Sequence, residues 1–188
     1  MRRPPFPAAL HSSADQQHFT SETFGFTIDY PADFKIKQHF DDNYFINGSS
    51  WKVFAGQNEQ GSPVLALVLK GSNDITRGEL HIGISRDPQS IRTWLQPPPG
   101  YLPPTQLSVH TKLGDADFTT FELNDAGMSH RLDAHSYRTV HAGACYAIDL
   151  LVTGTSPDVY DPPRTPPFSD AYALKRLQQA VQDFSFTR

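Results

Sequence analysis

The sequence predicts a single-domain α+β fold built around one central, mainly antiparallel β-sheet. Short segments rich in strand-forming residues recur along the chain, and each is followed by Gly, Pro, Asn or Asp, as strands joined by turns are. Helical patterns occur in only two places, near residues 88–95 and near residues 170–183. A length of 188 residues with 38% hydrophobic residues is enough for one domain with a substantial core.

Residues 1–17 are predicted to form a flexible tail and residues 18–188 the folded domain. The tail contains prolines and small polar residues without periodicity, a composition that does not build a packed core. Met1-Arg2-Arg3 is typical of the start of a signal peptide, but prolines follow it and no apolar h-region does. No signal peptide is evident, so a cytoplasmic location and a signal outside this sequence both stay open.

Five strands are predicted in the first half of the chain. Asn47-Gly48 is a strong hairpin-turn sequence and leads into one of them. The six apolar residues 64–69 form the longest apolar run and are typical of a strand buried on both faces, which favours a central position in the sheet. The five strands cover residues 24–30, 34–38, 51–55, 64–69 and 79–85.

The two helices are predicted from their caps and their apolar spacing. Asp87 and Pro88 are favoured at the N-cap and the first helical position, and this helix should end before the proline-rich loop at residues 97–104. The C-terminal helix should pack one face on the sheet, because its apolar residues recur at intervals of three, four and three. These residues are Leu174, Leu177, Val181 and Phe184.

Five more strands are predicted in the second half, with glycines at their turns. If Ala142-Gly143 forms a two-residue loop, Val140 lies opposite Cys145 and the His141 side chain points to the other face. A three-residue loop would instead bring His141 beside Cys145. The five strands cover residues 107–112, 118–123, 130–141, 144–152 and 184–187.

Composition argues against several classes of protein. The net charge of −4 is spread over the chain, and basic residues adjoin only at Arg2-Arg3 and Lys175-Arg176, so we predict no nucleic-acid partner. The lone Cys145 excludes an intramolecular disulfide and a multi-cysteine zinc site. Six apolar residues are far fewer than a bilayer span needs, so we predict no integral membrane segment and a soluble domain. Phosphate-binding glycine patterns are missing, and no cofactor is predicted.

Two segments at the ends of the chain carry a family resemblance. Residues 24–34 read Phe-Gly-Phe-Thr-Ile-Asp-Tyr-Pro-Ala-Asp-Phe, and residues 177–186 combine a helix with a closing strand. With this order of elements, the chain resembles the PsbP-like superfamily of α/β/α sandwiches. That superfamily includes the photosystem II protein PsbP, Ran-binding Mog-type proteins, bacterial lipoproteins and Eag-class type VI secretion chaperones. Residues 137–146 are similar to its penultimate hairpin.

The resemblance spans residues 19–187 and concerns structure more than function. It implies an α/β/α sandwich, a role in binding proteins or ligands rather than shared catalysis, and a periplasmic or secreted location. It carries no set of functional residues onto this sequence, because likeness of fold is a weak argument for function.

The main functional hypothesis is a non-catalytic binding or scaffold domain. It would recognise a protein partner or a small ligand through a sheet face or through proline-rich loops, which present side chains at reduced ordering cost. Loops that merely connect elements are the simpler alternative. Tyr and Arg are common anchors at interfaces, and the candidate binding residues of the two proline-rich segments are Tyr101, Tyr160, Arg164 and Phe168.

The alternative hypothesis is a metal-dependent or thiol hydrolase centred on the hairpin at residues 130–145. Strand alternation puts Asp133 and His135 on one face, where they could share a metal ion, whereas His141 lies too far along to join them. His141 and Cys145 would act as base and nucleophile only in the three-residue register. A strand with partly exposed polar side chains is the simpler interpretation.

Asp149 is the odd residue of the apolar strand at residues 144–152. A buried carboxylate needs a charged or hydrogen-bonding partner. The two-residue register puts Ser136 opposite Asp149 and Arg138 diagonally within reach. This predicts a structural ion pair between Arg138 and Asp149, with a functional carboxylate of perturbed pKa as the alternative.

Overall fold

The computed structural model describes residues 15–96 and 109–187. These residues form ten strands, two α-helices and a 3₁₀ helix at Pro157–Val159. The strands are β1 (Gln16–Ser21), β2 (Phe26–Pro31), β3 (Phe34–Lys37), β4 (Ser62–Leu69), β5 (Arg77–Ser85), β6 (Val109–Leu113), β7 (Ala116–Gly127), β8 (His130–His141), β9 (Ala144–Thr155) and β10 (Phe184–Phe186). The α-helices are α1 (Pro88–Arg92) and α2 (Asp170–Val181), and neither has the length or apolar character to cross a bilayer.

Seven strands form one antiparallel sheet in the order β3-β4-β5-β9-β8-β7-β6. The middle strand is β9, and its residues 144–153 are buried on both faces. The prediction of an α+β fold dominated by an antiparallel sheet is therefore confirmed. Positive φ angles at Ala142 and Gly143 form the two-residue turn that joins β8 to β9, so Val140 lies opposite Cys145.

A second sheet of three strands, β1-β2-β10, was not expected from the sequence. After α2 the chain turns back and pairs with β2 rather than with the main sheet, so Phe184 lies opposite Ile28. The Phe184 ring stacks on Phe26 with centroids 5.4 Å apart, which fixes this return in the core. The predicted tail lies outside the described residues as far as residue 14, and Gln16 and Gln17 belong to β1.

One face of the main sheet is covered by α2. The Ser169 side chain accepts a hydrogen bond from the Tyr172 backbone N–H and caps the helix at its first turn. The apolar stripe predicted from the sequence then packs against β2, β4, β5 and β9. The helix ends at Val181, two residues before the predicted boundary. Its buried residues are Ala173, Leu177, Ala180 and Val181.

The other face is covered by residues 38–61, which we call the covering segment, together with α1. Trp51 packs on Cys145 and Ala147 of β9, beside the partly buried Trp94. The prediction of a strand over residues 51–55 is wrong, because these residues form bends and turns. Helix α1 begins at Pro88 as predicted but stops at Arg92 instead of residue 95. The predicted loop at 97–104 lies outside the described residues.

Candidate binding cleft

Two of the predicted binding residues meet at one carboxylate. Tyr160 donates its hydroxyl hydrogen to Asp74, and Arg164 Nη1 lies 3.1 and 3.2 Å from the two Asp74 oxygens. The Arg164 guanidinium also lies 4.3 Å from the centre of the Tyr160 ring. The hydrogen bond from Tyr160 lowers the pKa of Asp74, and the same bond raises the pKa of Tyr160. The three side chains therefore form one exposed, mutually ordered group.

The other predicted binding residues do not join this group. Phe168 is half-buried, packs against the main core, and lies 5.9 Å from Tyr172 between ring centres. Tyr101 lies outside the described residues. The proline-rich segment at residues 160–168 thus divides between an exposed part near Asp74 and a part that packs on the core.

Asp74 lines a cleft of about 180 Å³ at one end of the main sheet, which we call the Asp74 cleft. Antiparallel pairing brings the start of β5, the start of β8 and the end of β9 to this end, with Arg77 opposite Thr153 and His130 opposite Thr155. The covering segment closes the cleft from the side. Besides Asp74, the lining includes Asn43, Tyr44, Phe45, Arg77, His130, Arg131, Gly154 and Thr155.

An aromatic stack forms one wall of the Asp74 cleft. Tyr44 lies on the His130 ring with centroids 4.2 Å apart and planes 17° apart, and Phe45 contacts the Tyr44 ring edge-on. The Asn43 side-chain oxygen accepts 2.9 Å hydrogen bonds from the backbone N–H groups of Phe45 and Ile46. This turn holds Tyr44 in place while 53% of its surface stays exposed, so the ring is both fixed and accessible.

The two arginines of the Asp74 cleft are already paired. Arg131 donates from Nε and Nη2 to the Asp170 oxygens at 2.8 Å, and these hydrogen bonds raise the pKa of Arg131. Arg77 Nη2 lies 2.6 Å from Asp41 and 2.7 Å from Glu79. Both cations therefore shape the cleft while their charges are neutralised by carboxylates.

Because Gly154 has no side chain, the Arg131 guanidinium can lie close to the backbone at this position. A Cβ at this position would lie 2.1 Å from the Ile75 carbonyl oxygen and 2.6 Å from Arg131 Nη1. From this position, Arg131 Nη2 donates a 3.0 Å hydrogen bond to the Ile75 carbonyl oxygen. The floor of the cleft is therefore closely packed and already hydrogen-bonded.

The residues proposed for a thiol hydrolase lie on opposite faces of the sheet. Because the β8–β9 turn has two residues, His141 faces the α2 side of the sheet. There its ring stacks on the Phe186 ring, with centroids 3.8 Å apart. Cys145 is fully buried beneath Trp51 on the other side. Burial raises the pKa of the Cys145 thiol to about 11. The prediction of His141 and Cys145 as base and nucleophile is therefore corrected.

Asp133 and His135, the residues proposed for a metal site, contact each other but do not belong to a larger group of ligands among the described residues. His135 Nε2 lies 3.3 Å from Asp133 Oδ1, and His135 Nδ1 lies 3.7 Å from Glu122 of β7. The hydrogen bond to Asp133 raises the pKa of His135. Within residues 15–96 and 109–187, no group of three or more His, Cys, Asp or Glu side chains could hold a metal ion.

Arg138 and Asp149 lie together in the interior. Arg138 Nη1 donates to Asp149 Oδ1 at 2.7 Å, and the Ser136 hydroxyl donates to the same oxygen at 2.6 Å. The Val53 backbone N–H donates to Asp149 Oδ2 at 2.8 Å. The predicted ion pair between Arg138 and Asp149 is therefore present, and its structural role stays a prediction.

Sequence reasoning missed most of the Asp74 cleft. Tyr44 and His130 are 86 positions apart in the chain, and no local pattern links them. Asn43 was the available clue, because an Asn side chain commonly accepts hydrogen bonds from backbone N–H groups two and three residues on. The stronger turn pattern at Asn47-Gly48 drew the interpretation toward a hairpin instead.

Comparisons with known proteins support the fold alone. The sequence matches no family model and no curated protein. Among solved structures, the fold is similar to that of a protein from Bacteroides thetaiotaomicron VPI-5482 seen in a crystal structure, with 11% sequence identity and a TM-score of 0.50. The match covers 93% of this chain and 49% of that chain, so this chain spans about half the length of its structural neighbour. The structure shows a sheet-dominated α+β fold. The PsbP-like resemblance stays a prediction.

Proposed function

We propose that this protein is a non-catalytic binding domain, and that its Asp74 cleft recognises a protein partner or a small ligand. The observation that carries the proposal is the convergence of aromatic and polar side chains from four separate chain segments on one open cleft. Binding sites are commonly concave, with aromatic walls and a few placed polar groups that set orientation. Tyr44, Asp74 and His130 supply these features here.

A strained turn at the lip of the cleft supports the proposal. Met128 and Ser129 have φ angles of 52° and 67°, and turns with two positive φ angles favour Asn and Gly instead. Met128 is also 82% exposed, although it is apolar. A Cβ at the preceding Gly127 would lie 3.6 Å from the Tyr44 hydroxyl, so this turn adjoins the aromatic wall. Strained backbone positions cluster at functional sites.

We also propose that the fold is a PsbP-like α/β/α sandwich. The sandwich arrangement is supported by the division of the β9 side chains between apolar clusters on the two faces of the main sheet. The even-numbered residues of β9 pack with α2, whereas Cys145 and Ala147 pack with Trp51, Ile91 and Trp94 on the other side. An experimental structure in which α1 and the covering segment lay away from the sheet would contradict this description.

The binding function is tested by two-dimensional amide NMR of the 188-residue protein with a chemically mixed fragment library. We expect binders to shift the amide signals of Asn43, Tyr44, Asp74, His130 and Arg131 as one group, and Tyr44→Ala to weaken those binders. Tyr172→Ala is the matched control, because Tyr172 is a 48% exposed tyrosine on α2, outside the cleft lining. Shifts confined to other surfaces, or no shift with any fragment, would overturn the proposal.

A further inference from the structure

We infer that the ligand of the Asp74 cleft is an uncharged, hydroxyl-rich molecule, that is, a neutral saccharide. This inference rests on the proposed binding function and specifies the ligand class. Three properties of the cleft carry it: its neutralised charges, its fixed aromatic face, and the acceptor sites that Asp74 and Thr155 still offer.

The charges of the lining argue against an ionic ligand. Arg131 is held by Asp170, Arg77 by Asp41 and Glu79, and Arg164 shares Asp74 with Tyr160. An anionic ligand would have to compete with carboxylates that already lie within 2.6–3.1 Å of these guanidinium groups. A cationic ligand would find Asp74 already occupied by Arg164. The electrostatic arrangement therefore favours a ligand without net charge.

The aromatic wall suits the flat apolar face of a sugar ring. Tyr44 is supported from behind by the stacked His130 ring and at its edge by Phe45, so it does not need to be ordered when a ligand arrives. Its exposed ring surface combines apolar area with a hydroxyl at the rim. A pyranose ring has the same two-sided character, because its axial C–H bonds form an apolar face and its hydroxyls surround the edge.

The acceptors of the lining suit hydroxyls. Asp74 accepts hydrogen bonds from Tyr160 and Arg164, but a carboxylate has about four acceptor sites, so it can accept one more from a ligand. The Thr155 hydroxyl lies 3.1 Å from His130 Nδ1 and keeps a further acceptor site, because a hydroxyl oxygen has two lone pairs. Sugar hydroxyls can donate to these acceptors, whereas a ligand with acceptors alone cannot.

A polypeptide ligand is the contrasting case. Extended peptides commonly bind by adding a strand to an unpaired sheet edge. The strands that end at this cleft are β5, β8 and β9, and each is hydrogen-bonded to a neighbour on both sides. The cleft is therefore better suited to a compact ring than to an extended chain.

The test uses four probe classes at equal concentration with the intact chain. The neutral saccharides are cellotetraose, maltotetraose and tetra-N-acetylchitotetraose; the contrasts are tetragalacturonate, a blocked neutral tetrapeptide of Gly, Ser and Asn, and a nucleoside. Saturation-transfer NMR reports which ligand protons lie against the protein, and amide shifts report where the ligand binds. We expect at least one neutral saccharide to bind at the cleft through its ring C–H protons.

Variants then separate the possible outcomes. Tyr44→Ala should weaken saccharide binding about tenfold or more, as loss of a buried aromatic anchor does, whereas Tyr44→Phe and Tyr172→Ala should retain most of it. If only the charged, peptide or nucleoside probes shift the cleft amides, the saccharide inference is overturned and the binding function stands. If no probe class or fragment reaches the cleft, both fail. Saccharide binding elsewhere, or binding unaffected by Tyr44→Ala, also overturns the inference.

Discussion

The backbone N–H of Val53 donates a 2.8 Å hydrogen bond to the carboxylate of Asp149, although the two residues are 96 positions apart. The same carboxylate accepts hydrogen bonds from Ser136 and Arg138 of the neighbouring strand. One buried charge therefore ties the covering segment to the middle of the main sheet. Because the covering segment also carries Tyr44, this bond contributes to the position of the Asp74 cleft.

Asp149→Asn should destabilise the protein by about 3–5 kcal/mol, because it leaves the buried Arg138 cation without its counter-charge. Urea denaturation followed by circular dichroism measures this change. The matched control is Lys112→Ala, which removes the exposed ion pair with Asp117. Exposed pairs contribute about 1 kcal/mol or less, so equal losses in the two variants would contradict a structural role for Asp149.

Cys145 should resist thiol reagents in the folded protein. Burial raises its pKa to about 11, so the thiol is protonated at neutral pH, and the thiolate is the reactive form. Labelling with a chromogenic disulfide at pH 8 should be slow in buffer and fast in concentrated urea. Rapid stoichiometric labelling of the native protein would show an accessible, activated thiol and would revive the thiol-hydrolase hypothesis.

Interactions set by short stretches of sequence could be predicted. The β8–β9 turn is closed by two residues with positive φ, Ala142 and Gly143. The strand register that follows from this turn is sufficient to bring Arg138 to Asp149. The apolar spacing of α2 likewise identified the face that the helix buries. In both cases the decisive information lies within one hairpin or one helix.

Interactions between distant segments could not be predicted. Residues 51–55 have the composition of a strand, but the Val53 N–H bonds to Asp149 instead of to a neighbouring strand. Glu122 reaches His135 only through the register of two 12-residue strands, and Tyr44 reaches His130 only because the covering segment crosses the sheet. Tertiary packing overrode local preference at residues 51–55 and assembled the cleft without a local pattern.

His135 should make stability depend on pH. The hydrogen bond with Asp133 raises the pKa of His135 above its ordinary value of 6.5, so the folded state binds the proton more tightly than the unfolded chain. The resulting stabilisation is fully present below pH 6.5 and is lost as the pH rises through the higher folded pKa.

The His135 titration can be followed by the NMR signal of its imidazole C–H. Asp133→Asn should lower the pKa of His135, and it should remove part of the stability that the wild type gains between pH 8 and pH 6. A titration unchanged by Asp133→Asn would mean that the two side chains do not interact in solution.

Gly83→Ala should be the most disruptive single-methyl change in the main sheet. A Cβ at Gly83 would lie 1.5 Å from the Trp51 carbonyl oxygen, so either the covering segment must lift or β5 must bend. Overpacking of this kind costs about 1–3 kcal/mol or more, and lifting should also expose Trp51 and shift tryptophan fluorescence to longer wavelength. Gly56→Ala is the control, because its nearest neighbour is the flexible Glu59 side chain at 3.6 Å. A Gly83→Ala protein with wild-type stability and fluorescence would mean that the covering segment does not lie against β5 in solution.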